Sequence, residues 1–489
     1  MAPVPDGSPT PIPQACVGKS WYVSKSAIGT NQGTSWTNAW NEMSKIDWTS
    51  IKGGDTLWLA AGTYLTQILP AIPQAPGGTA ESPICILRVT KNDAVAQDLD
   101  WNAGFDGQVV VAPQNIQGDV IGCYAPHGCD YTIWDGRTQN GIKLVLHNYS
   151  DTMQPAGNGT NALHWATINL GGPQGSPTRN PNGNIAFKNF ELYGPYYEAK
   201  GVAVGYVVYG TGLFLSGSQG APVSSVTLES SNVHGFADFA CMGDASLIRF
   251  DHNRIYDIKG VTYSGGDSPH ANIVEGNARL DMTFSYNAIS NWDNEGIFFG
   301  DYAGPVYMYG NIFDNTSNSL ESYGRVISTP PGSPQVAGVI YFYNNTVINT
   351  WCPFFLQASS PGLEGIDTSS RIFDNIYWWT GANFNSSQAC GFPSMPSAMQ
   401  GHEYTNFNFG SATPSAFVSS AGATAFVNAQ GQDYHLTATL GANYPRNAGT
   451  PIANVSLSNN QVQTFNIDMD GITRASGGWD VGAYQYSTR

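Results

Sequence analysis

One short alternation of apolar and polar positions keeps returning along this chain: apolar-x-apolar-x-x-Asn-x-apolar. It reads IRFDHNRI from Ile248, MTFSYNAI from Met282, VYMYGNIF from Val306, IYFYNNTV from Ile340 and SRIFDNIY from Ser370. Weaker copies are VTLESSNV from Val226 and IAFKNFEL from Ile185. The sixth position holds Ser231, Asn253, Asn287, Asn311, Asn345 and Asn375, at steps of 22, 34, 24, 34 and 30 residues. Period-two alternation rich in β-branched and aromatic residues predicts strands, and recurrence at 20 to 50 residues predicts a solenoid. Stacking such strands puts the sixth-position side chains in one column, where each amide can bond the next. The predicted fold is therefore all-β, a parallel β-helix with an Asn ladder.

The ends add a cap at each side. SWYVSKSAIGTNQGTSWTNAWNEMSKI predicts a strand, a Gly/Asn loop and a short capping helix over about 37–45, and GGDTLWLAAGTY from Gly53 a turn and a strand. This start, together with DMDGITRASGGWDVGAYQY from Asp468 and the ladder between, resembles secreted right-handed β-helix proteins of the pectate-lyase-like superfamily. The resemblance implies a single-stranded right-handed helix. That superfamily holds lyases, hydrolases, epimerases and binding proteins, so it speaks to fold more than to activity. The expected organisation is a flexible lead over 1–18, a cap over 19–64, the body over 65–380 and an irregular wrap over 381–489.

Composition narrows the partners. A formal charge of −16 argues against nucleic acid. No run of 18 apolar residues exists to span a membrane. A polysaccharide is the expected partner, and a monomer the expected state. The Pro-rich start reads as a linker left after a secretion signal, which makes the protein extracellular. Seven cysteines suit disulfides better than zinc. Cys123 with Cys129, Cys352 with Cys390 and Cys16 with Cys85 are the expected pairs, leaving Cys241 as a thiol. No cofactor is expected; the acidic residues offer oxygen ligands for at most a structural Ca2+.

Aligning the coils on the ladder places Asp238, His270 and Asn294 as column neighbours, with Asp293 and Glu295 one step aside. The insert KGVTYSGGDSP from Lys259 walls His270, and the next coil brings Glu321, Tyr323 and Arg325. Hydrolysis of a glycosidic bond needs two carboxylates, and coils about 4.8 Å apart set the separations it uses. The candidate catalytic residues are His270, Glu295, Asp238, Asp293 and Asp267. Trp292, Tyr263, Tyr302 and Tyr323 are candidates to stack on sugar rings, and Arg325 and Arg279 to hold charge. The leading expectation is hydrolysis by paired carboxylates. A lyase or C5-epimerase of uronate polymers is the alternative, with His270, Tyr263 or Lys259 as base. A non-catalytic glycan-binding or adhesin solenoid is the third reading. Asp267-Ser-Pro-His270 resembles the Asp-Pro-His-Asp motif of mannuronan C5-epimerases, but Ser268 intrudes and Ala271 stands where the second Asp belongs. His147, His164, His234 and His435 have no acidic partner in the pattern, and Asp244, Asn277 and Asp301 after Gly read as turn residues.

Overall fold

The computed structural model describes residues 15–72, 77–114, 119–123, 128–147, 165–171, 183–199, 210–217, 222–259, 271–276, 280–299, 304–316, 324–329, 339–350, 352–356, 370–378, 425–439, 445–449, 465–474, 478–487 and short pieces between 403 and 463. They fall into two compact units, Val4–Ile248 with Ile258–Ala271, and Arg249–Asp257 with Asn272–Arg489. Each unit is a parallel β-helix of three sheets visited in turn.

In the first unit, one sheet runs through Ser20–Val23, Thr56–Leu59, Ile84–Arg88, Thr132–Asp135, Gly183–Lys188 and Val223–Glu229. A second runs through Gly62–Tyr64, Val109–Val111, Ile142–Val145, Phe190–Tyr193 and Asn232–His234. The third holds Ile121–Gly122, Trp165–Asn169, Gly210–Leu215 and Asp238–Met242. The alternation read from sequence is the inside–outside alternation of these strands. Ile185 and Phe187 face the core while Ala186 and Lys188 do not, and Trp134, Phe187 and Leu228 share one register column. The Trp134 and Phe187 rings stack 5.9 Å apart.

The second unit repeats the plan. Leu280–Ser285, Val306–Tyr309, Ile340–Tyr343 and Arg371–Phe373 form one sheet; Ala288–Trp292, Ile312–Asp314, Thr346–Ile348 and Ile376–Trp378 the next; Val274–Gly276, Glu295–Phe299, Arg325–Thr329 and Cys352–Leu356 the third. Between its first two sheets the amides of Asn253, Asn287, Asn311, Asn345 and Asn375 chain together. Each Nδ2 donates to the next Oδ1 at 2.9–3.1 Å. All five are buried. The residue before each is left-handed: His252, Tyr286, Gly310, Asn344 and Asp374 have φ of 54°, 54°, 67°, 49° and 58°. That turn brings the amide inward. Four of the five positions hold this φ without glycine; at Gly310 a Cβ would also strike the Tyr286 ring, and that clash is what calls for glycine there.

One local expectation changes. The capping helix over 37–45 reduces to a 3-10 turn at Met43–Lys45. Trp40 instead bonds the first strand through its backbone, accepting from Ser24 and donating to Tyr22, while Trp36 and Trp40 fill the cap core. The described C-terminal residues lie along the flank of the second unit's coils. Phe465 packs on Tyr309 and Tyr343, Gly482 N donates to Asp374 O, and Asn344 Nδ2 donates to Asp480 O. Arg474, buried, donates to the carbonyls of Asp480, Gly482 and Ala483 and so shapes this strap. Disulfides join Cys16 to Cys85 and Cys123 to Cys129, and Cys241 takes part in neither. Cys390 lies outside the described residues.

Candidate functional site

Among the described residues, a connected set of titratable and aromatic side chains lies on the outer face of the first unit's second sheet. Phe190 and Leu192 point into the core, which sends Glu191 and Tyr193 outward. The same parity turns Lys143 out between Ile142 and Leu144. Register then aligns Lys143 with Glu191 and Asn232, and Val145 with Tyr193 and His234. The short helix Tyr196–Ala199 follows directly and delivers Tyr197.

These residues form a connected relay. Tyr197 Oη lies 3.2 Å from His234 Nδ1, and His234 Nε2 lies 3.3 Å from Glu191 Oε1. Lys143 Nζ donates to the same Oε1 at 2.8 Å and sits 4.4 Å above the Tyr193 ring. Burial alone would push the Glu191 carboxyl up; hydrogen bonds from His234 and Lys143, with their charge, outweigh it and lower it to about 2. An ionised carboxylate only accepts, so Nε2 of His234 carries a proton; in the tautomer whose Nδ1 is bare, that nitrogen accepts from Tyr197. The logic is that of a hydroxyl–imidazole–carboxylate triad with a phenol at its head. Side-chain exposures of 24% for Lys143, 15% for Glu191 and 9% for His234 leave the cluster reachable from one side.

His234, which the sequence pattern leaves without an acidic partner, has one in Glu191. Overlaying IAFKNFELY on VTLESSNVH already puts Tyr193 beside His234 and Glu191 beside Asn232. The signal was in the weak copies of the repeat, upstream of the strong ones. So has His435: it lies between Asp433 and Asp470, 2.8 Å from Asp470, and stacks on Tyr484 at 3.8 Å. This clamp joins the Asp433–Leu436 strand to the C-terminal strap.

Of the residues singled out from sequence, His270, Asp267, Tyr263, Arg279, Tyr302 and Tyr323 lie outside the described residues. Asp238 is buried beside Thr211 in register. Asp293 is half-buried in the turn before Glu295. Glu295 and Arg325 face each other across paired strands and form an ion pair, with side chains 11% and 12% exposed. The carboxylate expected as an acid and the cation expected to hold substrate thus hold each other. Trp292 is fully buried, its indole donating to Arg325 O at 3.0 Å and its ring against Phe313, so it has no face to offer a sugar. Ser285 donates to Asp251, which also accepts from His252 Nδ1 at 3.0 Å. The carboxylate stands between hydroxyl and imidazole, so this trio is no activated nucleophile. Among the described residues no three His, Cys, Asp or Glu side chains come together to hold a metal ion.

No family model and no curated protein matches the sequence. Among solved structures the chain is similar to a pectate lyase, Pel9A, with a TM-score of 0.48 and 12% identity over 96% of this chain and 97% of that one. It is similar to a rhamnogalacturonan lyase, with a TM-score of 0.45 and 12% identity over 87% and 96% of the two chains. It is also similar to a GH136 lacto-N-biosidase from Eubacterium ramulus, with a TM-score of 0.39 and 12% identity over 80% and 68%.

Proposed function

We propose that this protein is a secreted polysaccharide-active enzyme whose chemistry is proton abstraction at a uronate, carried by Tyr197, His234, Glu191 and Lys143. One observation carries the reading: the Tyr197–His234–Glu191 relay, in which a base is assembled around a single ionised carboxylate. Hydrolysis by paired carboxylates needs a second, protonated carboxyl beside the ionised one, and among the described residues the relay is built around one carboxyl, Glu191. Elimination needs a base for the carbon acid next to the carboxyl group and a cation for that group. Tyr197, relieved of its proton by His234, takes the hydrogen; the electron pair forms the ring double bond; the bond to the glycosidic oxygen breaks. Tyr197 then returns a proton to the departing oxygen, and His234 is restored. Lys143 is the cation within reach of the substrate carboxylate, and Tyr193 offers a ring edge to the sugar. Delivery of a proton to the opposite face of the carbon, by a second donor on that side, would make the same site an epimerase. Two disulfides fit the oxidising setting in which extracellular polymers are met.

The test is incubation with polygalacturonate, rhamnogalacturonan, alginate and xylan, reading reducing ends and the ultraviolet absorbance of the unsaturated uronate together. Both signals, abolished in Tyr197→Phe, are expected on a uronate polymer. Reducing ends without absorbance return the assignment to hydrolysis. Neither signal, with retention on the polymer, turns it to glycan binding.

A further inference from the structure

Successive side chains of a strand point opposite ways, and the strand Asp433–Leu436 uses both sides. Tyr434 Oη donates to Asp314 Oδ2 at 2.6 Å, which anchors the strand to the second unit's second sheet. His435 turns to the strap. Its Nδ1 faces Asp433 Oδ1, its Nε2 lies 2.8 Å from Asp470 Oδ2, and its ring stacks on Tyr484. The side chains of His435 and Asp470 are 9% and 7% exposed. Both ring nitrogens therefore meet a carboxylate oxygen. A neutral imidazole owns one N–H, and an ionised carboxylate owns none. With the ring neutral and both carboxylates ionised, one of the two contacts would set lone pair against lone pair. The cluster as built calls for one proton more than that.

We infer that His435 is a proton-operated lock on the C-terminal strap: its imidazolium ties Asp433 to Asp470, and loss of the ring proton loosens the strap at Asp470. The charges around the ring favour the cation. Behind Asp470 stand Asp468, whose Oδ1 accepts from Asp470 N, and Asp480, whose Oδ2 accepts from Gln485 Nε2 next to Tyr484. The Arg474 guanidinium is turned to the carbonyls of Asp480, Gly482 and Ala483, and Arg446 to the Tyr486 ring and Ala438 O. Four carboxylates against two guanidiniums leave the balance acidic before the imidazole is counted. The segment under the lock is the one that closes on the coils. Asp468 accepts from the amides of Asp470, Ile472 and Gln485 and so joins the two pieces of the strap, while Phe465 packs on Tyr309 and Tyr343. A ring that donates to both sides only when charged holds this segment best in acid and loosens it as pH rises past the imidazole range. The lock shares no residue with the Tyr197–His234–Glu191 relay and is independent of it.

The experiment is hydrogen–deuterium exchange of the full chain at about pH 5.5 and about pH 8, either side of the ordinary imidazole value, with protection corrected for the chemical exchange rate at each pH. Peptides over 465–474 and 478–487 are expected to lose about tenfold in protection at the higher pH, the size of one charge-assisted hydrogen bond, while peptides over the ladder strands keep theirs. Asp433→Asn is expected to remove the difference. Its amide can turn an N–H toward a bare Nδ1, so a neutral ring is satisfied on both sides, and a side chain 33% exposed tolerates the change. His435→Gln, which cannot titrate, is expected to remove the difference too. Equal protection of the strap peptides at the two pH values in the wild type overturns the lock. So does a loss shared by the ladder peptides, or one that survives in Asp433→Asn.

Discussion

His234 Nε2 approaches Glu191 Oε1 to 3.3 Å across two neighbouring strands, and the opposite ring nitrogen faces Tyr197 Oη at 3.2 Å. The carboxylate contact favours the tautomer with its proton on Nε2, which sets the direction a proton would move along the relay. His234→Ala and Tyr197→Phe are each expected to lower kcat by about a hundredfold or more on the polymer identified by the panel. Because the two act as one unit, the double variant should be little worse than either single one. Losses that multiply would separate Tyr197 from His234.

The ladder makes a stability prediction. Asn311 Oδ1 accepts from both the backbone N and the Nδ2 of Asn287, while its own Nδ2 donates to Asn345 Oδ1 and Phe284 O. Asn311→Ala strands buried donors and acceptors on both neighbouring coils. The expected cost is about 1–3 kcal/mol in urea unfolding. A loss within error would mean that neighbouring groups close over the gap.

The ladder was legible in the sequence because its chemistry is local to a coil: a small amide, a left-handed residue before it, and alternating apolar neighbours repeat wherever that turn does. The site was less legible. The side chains of the relay face outward, where packing imposes no repeat, and they come from three coils: Lys143 from one, Glu191 and Tyr197 from the next, His234 from the third. Lys143, Glu191 and His234 are joined only by register, and register follows from the weak copies at Ile185 and Val226. Glu295 and Arg325 were correctly brought to one region by the same ruler, but sequence could not say that they would face each other. Trp292 misled for a related reason: a large aromatic beside polar residues reads as a sugar platform until the fold turns it inward.

The charge on Glu191 makes acid the sensitive direction. Its carboxyl is lowered from 4.5 to about 2 in the folded protein. A depressed folded value contributes stability that is full above the unfolded value and is lost as pH falls through the folded one. The melting temperature of the wild type, relative to Glu191→Gln, should therefore hold steady above pH 4.5 and decline from there toward about 2. A difference that grows on acidification contradicts the lowered carboxyl.

The Cys16–Cys85 bond closes a loop with a sequence separation of 69 around the cap and the first coils. Cross-linking so long a loop restricts the unfolded chain, so Cys16→Ser with Cys85→Ser is expected to lower stability by about 2–4 kcal/mol. Denaturant unfolding of the double variant, compared with the wild type under non-reducing conditions, checks this. An unchanged midpoint would show that the cap's aromatic core holds without the tie.

The Glu295–Arg325 pair separates a structural role from a chemical one. Its members face each other in register, both side chains are mostly covered, and the backbone around them is shared: Trp292 Nε1 donates to Arg325 O, and Ile273 N donates to Glu295 O. Removing one partner leaves a covered charge uncompensated, which costs about 3–5 kcal/mol when burial is deep and less where water enters; removing both can be nearly neutral. Arg325→Met should therefore be clearly less stable than Glu295→Gln with Arg325→Met together. If the pair is structural, the double variant also keeps its turnover, since the relay at His234 uses neither residue. If instead Glu295→Gln alone lowers kcat about a hundredfold while its melting temperature is unchanged, the carboxylate acts in chemistry. The relay would then no longer stand as the sole catalytic centre.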